Sequence, residues 1–222
     1  MRRTGQATRD RLSRLDTCAI SDALDRLGIS GVAPALHRVA GAGPIVASVA
    51  TIQLEPADGA RSARHLGTAV LDGLTAGEAI VVANGGRTDA GAWGGLLSRA
   101  ARLCEAAGVL VDGAVRDVDE IDALGVPVYG RAVVPLSARG RFVETGHQEP
   151  VEVQGIRVAP GDVVVADGTG AVFIPRARVG EVLETAEELF ATERDMVRAL
   201  EAGGAPSRVM GGNYEALTRH DG

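Results

Sequence analysis

The sequence predicts an α/β fold in which helices cover a buried sheet that is mixed or largely parallel. Hydrophobic residues make up 45% of the chain and aromatic residues only 3%, so the core must be built from Ala, Val, Leu and Ile. Residues 80–111 have the pattern of a strand, a glycine-rich loop, a helix and a second strand. No segment near the middle of the 222 residues resembles a linker, so we expect one domain over residues 1–222.

Apolar periodicity and turn residues place the individual elements. A helix is expected over residues 9–27, in which Asp16 or Thr17 can cap a second segment and Gly28 ends the helix. The other helices are expected at residues 60–71, 93–107, 118–124 and 177–202. Buried strands are expected at residues 41–54, 77–83 and 109–111, and a meander that closes one side of the sheet at residues 151–153, 156–158, 163–166 and 171–174. The glycine-rich residues 203–222 are expected to form a flexible tail.

Charge and composition argue against nucleic-acid and membrane partners. The formal net charge is -6, and no basic cluster follows the first three residues, so phosphate-backbone binding is not expected. No apolar run approaches the roughly 20 residues of a membrane span, and no signal sequence is evident. We therefore expect a cytoplasmic protein, and we interpret Cys18 and Cys104 as buried thiols because they match no metal-site spacing.

Common catalytic motifs are missing from the sequence. There is no G-x-S-x-G elbow, no phosphate-binding P-loop and no paired arrangement among the four histidines. Gly41 and Gly43 form only G-x-G before Pro44, which does not support a dinucleotide site. Ser21 and Asp22 suit either a cleft or ordinary capping and surface positions.

The stretch from residue 84 to residue 129 carries the candidate site. The predicted helix opens at Trp93-Gly94-Gly95-Leu96-Leu97, where free peptide N–H groups and the two glycines allow an anion to approach the backbone. Twenty residues separate Gly95 from Arg116, enough for the chain to run along a helix and return on the next strand. Arg116 can grip a carboxylate and Asp117 offers a hard oxygen ligand for Mg²⁺ or Mn²⁺, which together describe a 2-oxo acid site. The alternative is that both residues start the helix at 118–124 and form local ion pairs with Asp119 and Glu120.

The sequence resembles the class II aldolase/RraA-like family, which includes 4-hydroxy-4-methyl-2-oxoglutarate aldolases and regulators of ribonuclease E activity. The resemblance covers nearly the whole chain, and its most specific part is the G-x20-R-D-x2-E pattern. The residues that carry this pattern are Gly95, Arg116, Asp117 and Glu120. Further matches are Ser21-Asp22-Ala23-Leu24, Asn84-Gly85-Gly86, Ala92-Trp93-Gly94, Val111-Asp112-Gly113-Ala114-Val115, Val126-Pro127-Val128-Tyr129, Gly161-Asp162 and Asp167-Gly168.

The resemblance implies an α/β sandwich of the swivelling-domain type with a mixed central sheet. It also implies a homotrimer or hexamer, with sites at subunit boundaries. The length and position of the helix at 177–202 independently predict that it packs across a neighbouring subunit as well as its own core. The implied substrate-binding residues are Arg116 and the amides of Gly94, Gly95, Leu96 and Leu97, with Asp117 as the ligand of a divalent cation. Glu193 of a neighbouring chain is a possible acid.

The implied reaction is the metal-dependent retro-aldol cleavage of a 4-hydroxy-2-oxo acid to pyruvate, with oxaloacetate decarboxylation through the same enolate. Gly95 stands where aldolases of the family carry an acidic residue, so this chain has one acid fewer at that point. Two alternatives therefore stay open. One is a non-catalytic regulator that binds a ribonuclease or another protein, and the other is a metal-enolate enzyme of a different biosynthetic pathway.

Overall fold

A computed structural model describes residues 5–60 and 64–211. The fold is built around a mixed β-sheet. The helices are α1 (Gln6–Leu12), α2 (Thr17–Arg26), α3 (Thr68–Gly73), α4 (Gly95–Leu103), α5 (Val118–Leu124), α6 (Val179–Glu201) and α7 (Pro206–Val209). The strands are β1 (Val32–Ala33), β2 (His37–Ala40), β3 (Ile45–Pro56), β4 (Ala79–Trp93), β5 (Gly108–Val115), β6 (Val128–Gly130), β7 (Ala132–Val133), β8 (Phe142–His147), β9 (Val151–Val153), β10 (Ile156–Val158), β11 (Val163–Ala166) and β12 (Ala171–Ile174). A short 3-10 turn, Arg176–Arg178, precedes α6.

Strands β3, β4, β5 and β6 run parallel in the middle of the sheet. In the described part of the chain, the sheet order is β1-β12-β11-β3-β4-β5-β6-β2, with β7 beside β5 and β8 beside β3. Strands β11, β12, β2 and β8 pair in antiparallel fashion with their neighbours. The predicted α/β fold with a mixed central sheet is therefore confirmed.

Both faces of the central strands are buried, which explains their continuous apolar sequence. On β4, Ile80 and Val82 pack with the helices α4 and α5 on one face, whereas Val81 and Ala83 pack beneath the β9–β10 hairpin on the other. Helices α2 and α6 pack together against β11 and β12. The parallel strands thus end at one well-supported edge of the sheet, where β5 leads into α5.

The long strand β4 differs from its prediction. It was expected to end near Ala83, but it continues to Trp93 through register shifts against β5, with Ala83 opposite Asp112 and Arg87 opposite Gly113. Gly85 and Gly86, with φ of 59° and 72°, supply the left-handed backbone that these irregularities require. Trp93 consequently ends a strand instead of opening a helix, and α4 covers only Gly95–Leu103 of the predicted 93–107.

The other boundaries follow the capping residues. The helix expected over 9–27 is two helices, and the Asp16 carboxylate caps the second by accepting a hydrogen bond from the Ala19 amide at 2.8 Å. The helix expected over 60–71 begins only at Thr68, because left-handed Gly67 (φ 78°) precedes it, and residues 61–63 lie outside the described part. Helix α5 and the four short strands β9 to β12 have the predicted bounds.

The structure corrects the expectations for the meander and for the two cysteines. The meander divides: β11 and β12 extend the main sheet, whereas β9 and β10 form a separate hairpin over one face. Within residues 203–222, the described part contains the short helix α7, which contacts α6, while residues 212–222 lie outside it, so the flexible tail stays a prediction. Cys18 and Cys104 are free thiols but not core residues, since Cys18 is exposed on α2 and Cys104 is half-buried. Among the described helices, none has the length and apolar character needed to cross a membrane.

Candidate active site

The ends of β4 and β5 bring the two halves of the predicted site together. The Arg116 amide donates a hydrogen bond to the Trp93 carbonyl at 3.0 Å, so the residue after β5 lies directly beside the start of α4. This is the consequence of two parallel strands that share one edge. Gly94, Arg116 and Asp117 all line one cavity of about 710 Å³ at this edge.

The side chain of Arg116 packs against two glycines, Gly91 and Gly94. A Cβ atom placed on Gly91 or Gly94 would approach the Cγ atom of Arg116 to 2.9 Å, so only glycine leaves room for the arginine stem at these two points. The Arg116 Nε atom donates to Asp117 Oδ1 at 3.1 Å, and about a third of each side chain stays exposed to the cavity. Since the side chain has no other hydrogen-bond partner among the described residues, the rest of the guanidinium can bind a ligand carboxylate.

Asp117 has a left-handed backbone, with φ 60° and ψ 39°, which is uncommon for a residue other than glycine. It occupies the position before α5, yet its carboxylate does not cap that helix. Instead, Asp117 Oδ2 accepts a hydrogen bond from the Gly95 amide of α4 at 3.1 Å. The unusual backbone therefore turns the carboxylate back into the site, where strain of this kind is often found.

Glu120 occupies the space above Gly95. A Cβ atom on Gly95 would overlap the Glu120 carboxylate, so glycine at this position is what admits Glu120. Arg99 holds the same carboxylate at 3.0 Å, which fixes it between α4 and α5. The chain thus carries an acid next to the place where the resemblance implies that one is missing.

The anion-binding amides at the start of α4 are only partly free. Gly95 donates its amide to Asp117, whereas the amides of Leu96 and Leu97 belong to the first turn and have no acceptor within the helix. Both leucines line the cavity, with Leu97 buried and Leu96 exposed at its rim.

Three further basic side chains line the same cavity, and the sequence did not single them out. They are Arg64, His65 and Arg139. They come from the segments before α3 and before β8, which only the tertiary fold brings together. The sequence gives only a weak indication of their role, namely that basic residues such as Arg64 and His65 are adjacent in a chain of net charge -6. A cavity with four cationic or titratable basic groups favours a substrate with more than one carboxylate.

Carboxylates near Arg116 offer oxygen ligands for a hard cation. Asp117, Asp119 and Glu120 line a second, smaller cavity of about 340 Å³, which Arg116 also lines. Within residues 5–60 and 64–211, no three His, Cys, Asp or Glu side chains converge closely enough to hold an ion by themselves. This donor set suits Mg²⁺ or Mn²⁺, which bind through one or two carboxylates and keep several waters, and it does not suit Zn²⁺.

The remaining candidates lie outside this cavity. Glu193 is exposed on α6 and does not meet Arg116 within one chain, so its role from a neighbouring chain stays a prediction. Ser21 and Asp22 lie on α2 and do not line the cavity. Burial, together with Asp25 and Asp16, raises the pKa of Asp22, which is a local effect of the α2 surface.

Comparisons with known proteins show the family of the chain. The family profile described as RraA-like, Aldolase/RraA, matches residues 17–173. Protein DlpA of Legionella pneumophila is 31% identical over 192 residues, which are 86% of this chain but 31% of DlpA, so the chain spans about a third of that relative. A Halalkalibacterium halodurans protein named "Putative 4-hydroxy-4-methyl-2-oxoglutarate aldolase" is 26% identical over 84% of this chain and 85% of its own length.

A solved structure shares the fold over most of both chains. It is RraAS2 of Streptomyces coelicolor, described as an unusual member of the RNase ES inhibitor RraA protein family, with a TM-score of 0.78 and 25% identity. The alignment covers 87% of this chain and 97% of that one. From the fold, the profile match and these relatives, the chain belongs to the RraA-like (Aldolase/RraA) family.

Proposed function

We propose that the protein is a divalent-metal-dependent lyase that cleaves a 4-hydroxy-2-oxo acid of the 4-hydroxy-4-methyl-2-oxoglutarate type to pyruvate. One observation carries this proposal. Asp117 accepts hydrogen bonds from Arg116 and from the Gly95 amide, the first of α4, and Arg116 and Asp117 line a cavity with several basic side chains. The relative named as an aldolase supports the same reaction class.

Arg116 is the residue that binds the reacting end of the substrate. Its guanidinium is held by one hydrogen bond to Asp117 and retains donors for the carboxylate and 2-oxo oxygen of a pyruvate-like group. The amides of Leu96 and Leu97 supply further donors at the same edge. Arg64, His65 and Arg139 lie in the same cavity and are suited to the second carboxylate of the substrate.

Asp117 would hold the cation, with Glu120 placed to accept hydrogen bonds from the water around it. When bound, Mg²⁺ or Mn²⁺ supplies Lewis acidity toward the 2-oxo group. Glu120 belongs to the family pattern itself, so it does not replace the acid that position 95 lacks, and Gly95 gives its carboxylate room at the start of α4.

The reaction needs two proton movements and one bond cleavage. The 4-hydroxyl group loses its proton, the C3–C4 bond breaks, and C4 becomes the carbonyl carbon of the leaving fragment. The electron pair enters the C2–C3 enolate, whose oxygen faces the Arg116 donors, and protonation at C3 releases pyruvate. Loss of CO₂ from oxaloacetate forms the same enolate, so we expect decarboxylase activity as well. Glu193 of a neighbouring subunit in a trimer or hexamer is our candidate proton donor.

Replacement of Arg116 tests the proposal. Purified protein with Mg²⁺ should release pyruvate from 4-hydroxy-4-methyl-2-oxoglutarate, and Arg116→Ala should lower kcat by roughly 10²-fold or more, because it removes donors from the developing negative charge. Arg157→Ala is the matched control, since Arg157 is exposed on β10 and lines neither cavity. Equal rates for the two variants would contradict the assignment of Arg116.

A regulatory protein-binding function is the second candidate. Leu96 and Leu103 on α4 are 70% and 81% exposed, which is unusual for leucine and gives α4 an apolar surface beside the cavity. The description of RraAS2 as a ribonuclease-inhibitor relative supports the same idea. Inhibition of a ribonuclease E-type enzyme by the wild type, but not by a variant with Leu96→Ser and Leu103→Ser, would favour this function over the lyase.

A further inference from the structure

Glu144 is a buried carboxylate that lies just outside the candidate active site. Only 7% of its side chain is exposed, although it carries an ionisable group. It lies on β8 two residues after Phe142, which lines the cavity, so the two side chains point to the same face of the strand. A buried carboxylate is costly unless it is hydrogen-bonded, so its partners show what it stabilises.

The partners of Glu144 belong to two segments. Glu144 Oε2 accepts a hydrogen bond from the Gly67 amide at 2.7 Å. Glu144 Oε1 lies 3.2 Å from the Nδ1 atom of His147, a half-exposed residue of the same strand. The first bond joins β8 to the segment that leads into α3, while the second holds the carboxylate in place from the solvent side.

Gly67 connects this bond to the cavity. Its left-handed backbone (φ 78°) packs on the site, since a Cβ atom placed there would lie 3.3 Å from Cζ3 of Trp93 and 3.7 Å from Cδ2 of Leu97. The residues directly before it, Arg64, His65 and Leu66, line the cavity. The Glu144 bond therefore determines how far this basic segment lies from the wall formed by Trp93 and Leu97.

We propose that Glu144 is a positioning residue that holds Arg64 and His65 at the cavity wall, where they bind the substrate carboxylate remote from Arg116. The inference rests on the proposed lyase function for the identity of the substrate. The positioning itself does not depend on that function. A carboxylate that served only fold stability would affect all substrates equally, whereas a positioning residue affects those that carry the remote carboxylate.

Three variants separate these roles. Glu144→Leu removes the acceptor of the Gly67 amide, and Glu144→Asp keeps the charge but is one methylene shorter, which withdraws the carboxylate from that amide. Glu144→Gln keeps a carbonyl oxygen that can accept from Gly67, so it should restore most of the wild-type behaviour. Glu152→Gln is the matched control, because Glu152 is an exposed glutamate on the neighbouring hairpin.

The single tryptophan reports the position of the segment without any assay of activity. Trp93 is the only tryptophan of the chain and is 2% exposed beneath Gly67. In variants that remain folded by circular dichroism, Glu144→Leu and Glu144→Asp should raise the acrylamide quenching constant of Trp93 at least about twofold, because release of Gly67 uncovers the ring. Glu144→Gln and Glu152→Gln should match the wild type. Unchanged quenching in folded Glu144→Leu or Glu144→Asp would overturn the proposal.

Steady-state kinetics then test whether the segment held by Glu144 binds the remote carboxylate of the substrate. For 4-hydroxy-4-methyl-2-oxoglutarate, KM should rise roughly tenfold or more in Glu144→Asp with kcat little changed, which is the effect expected when a charged hydrogen bond is lost. For 4-hydroxy-2-oxopentanoate, which lacks the remote carboxylate, KM should stay near the wild-type value. An equal rise for both substrates would refute the positioning role. If the wild type shows no lyase activity, the proposed function fails, and the quenching result alone decides whether Glu144 holds the segment.

Discussion

Substitution of Gly94 by alanine tests the site geometry without removing any charge. The added Cβ atom would lie 2.7 Å from Asp117 Oδ2 and 2.9 Å from Arg116 Cγ, so both side chains must move by several tenths of an ångström. Misplacement of catalytic groups by about 1 Å can cost about 10²-fold in rate, so kcat/KM should fall by roughly 10- to 100-fold. The backbone itself tolerates alanine, because the φ of Gly94 is -159°, an extended conformation open to all residues.

Activity and stability must be measured on the same preparations. Pyruvate release gives kcat/KM, and thermal unfolding followed by circular dichroism shows whether the fold is retained. Gly180→Ala is the matched control, since a Cβ atom on Gly180 in α6 would meet no atom within 4 Å. Gly180→Ala should keep full activity and unfold at the same or a slightly higher temperature. A folded Gly94→Ala protein with wild-type kcat/KM would refute the packing of Arg116 and Asp117 over this glycine.

Two aspartates should affect the pH dependence of stability in opposite directions. Burial, together with the charges of Asp25 and Asp16, raises the pKa of Asp22, so ionisation of this carboxyl opposes folding. Asp22→Asn should therefore raise the Tm at pH 7. The gain should vanish below about pH 4, where the wild type and the variant are both neutral at this position. Burial also opposes ionisation of Asp167, but hydrogen bonds from Thr17 and Thr169 outweigh it and lower the pKa of Asp167. The stabilisation linked to its ionisation is present at neutral pH and is lost as the pH falls through that lowered pKa, so Asp167→Ala should lower the Tm more at pH 7 than in strong acid. Melting curves of both variants at pH 7 and in acid check the two opposite changes in Tm.

Local patterns predicted the parts of the fold that depend on local chemistry. The strands β9 to β12 and the helix α5 were expected with their observed bounds, because Gly, Pro and Asp residues mark their turns. The Asp16 cap of α2 was foreseen for the same reason. The start of α4 was misplaced because Trp93 is as apolar as a helix residue, and nothing in the local pattern shows that it still pairs with Val115.

The candidate site was anticipated in its chain positions but not in its contacts. The spacing of Gly95 and Arg116 indicated that both lie at one edge, and the structure places them there. The left-handed backbone of Asp117 and the position of Glu120 over Gly95 are tertiary features without a sequence signature. The sequence does not predict the basic side chains of the cavity, Arg64, His65 and Arg139, because segments distant in the chain meet only in the folded protein. The single-domain organisation and the trimer or hexamer stay predictions.

The most direct test of the account is the metal dependence of pyruvate release by the wild type and by Asp117→Asn. Asparagine tolerates the left-handed backbone and can still accept from Gly95, so the variant should fold normally. EDTA should abolish pyruvate release from 4-hydroxy-4-methyl-2-oxoglutarate by the wild type, and excess Mg²⁺ or Mn²⁺ should restore it. Folded Asp117→Asn should stay inactive with added metal. Wild-type turnover that EDTA leaves unchanged, or full activity of Asp117→Asn, would contradict the assignment of Arg116 and Asp117 as the centre of a metal-dependent lyase.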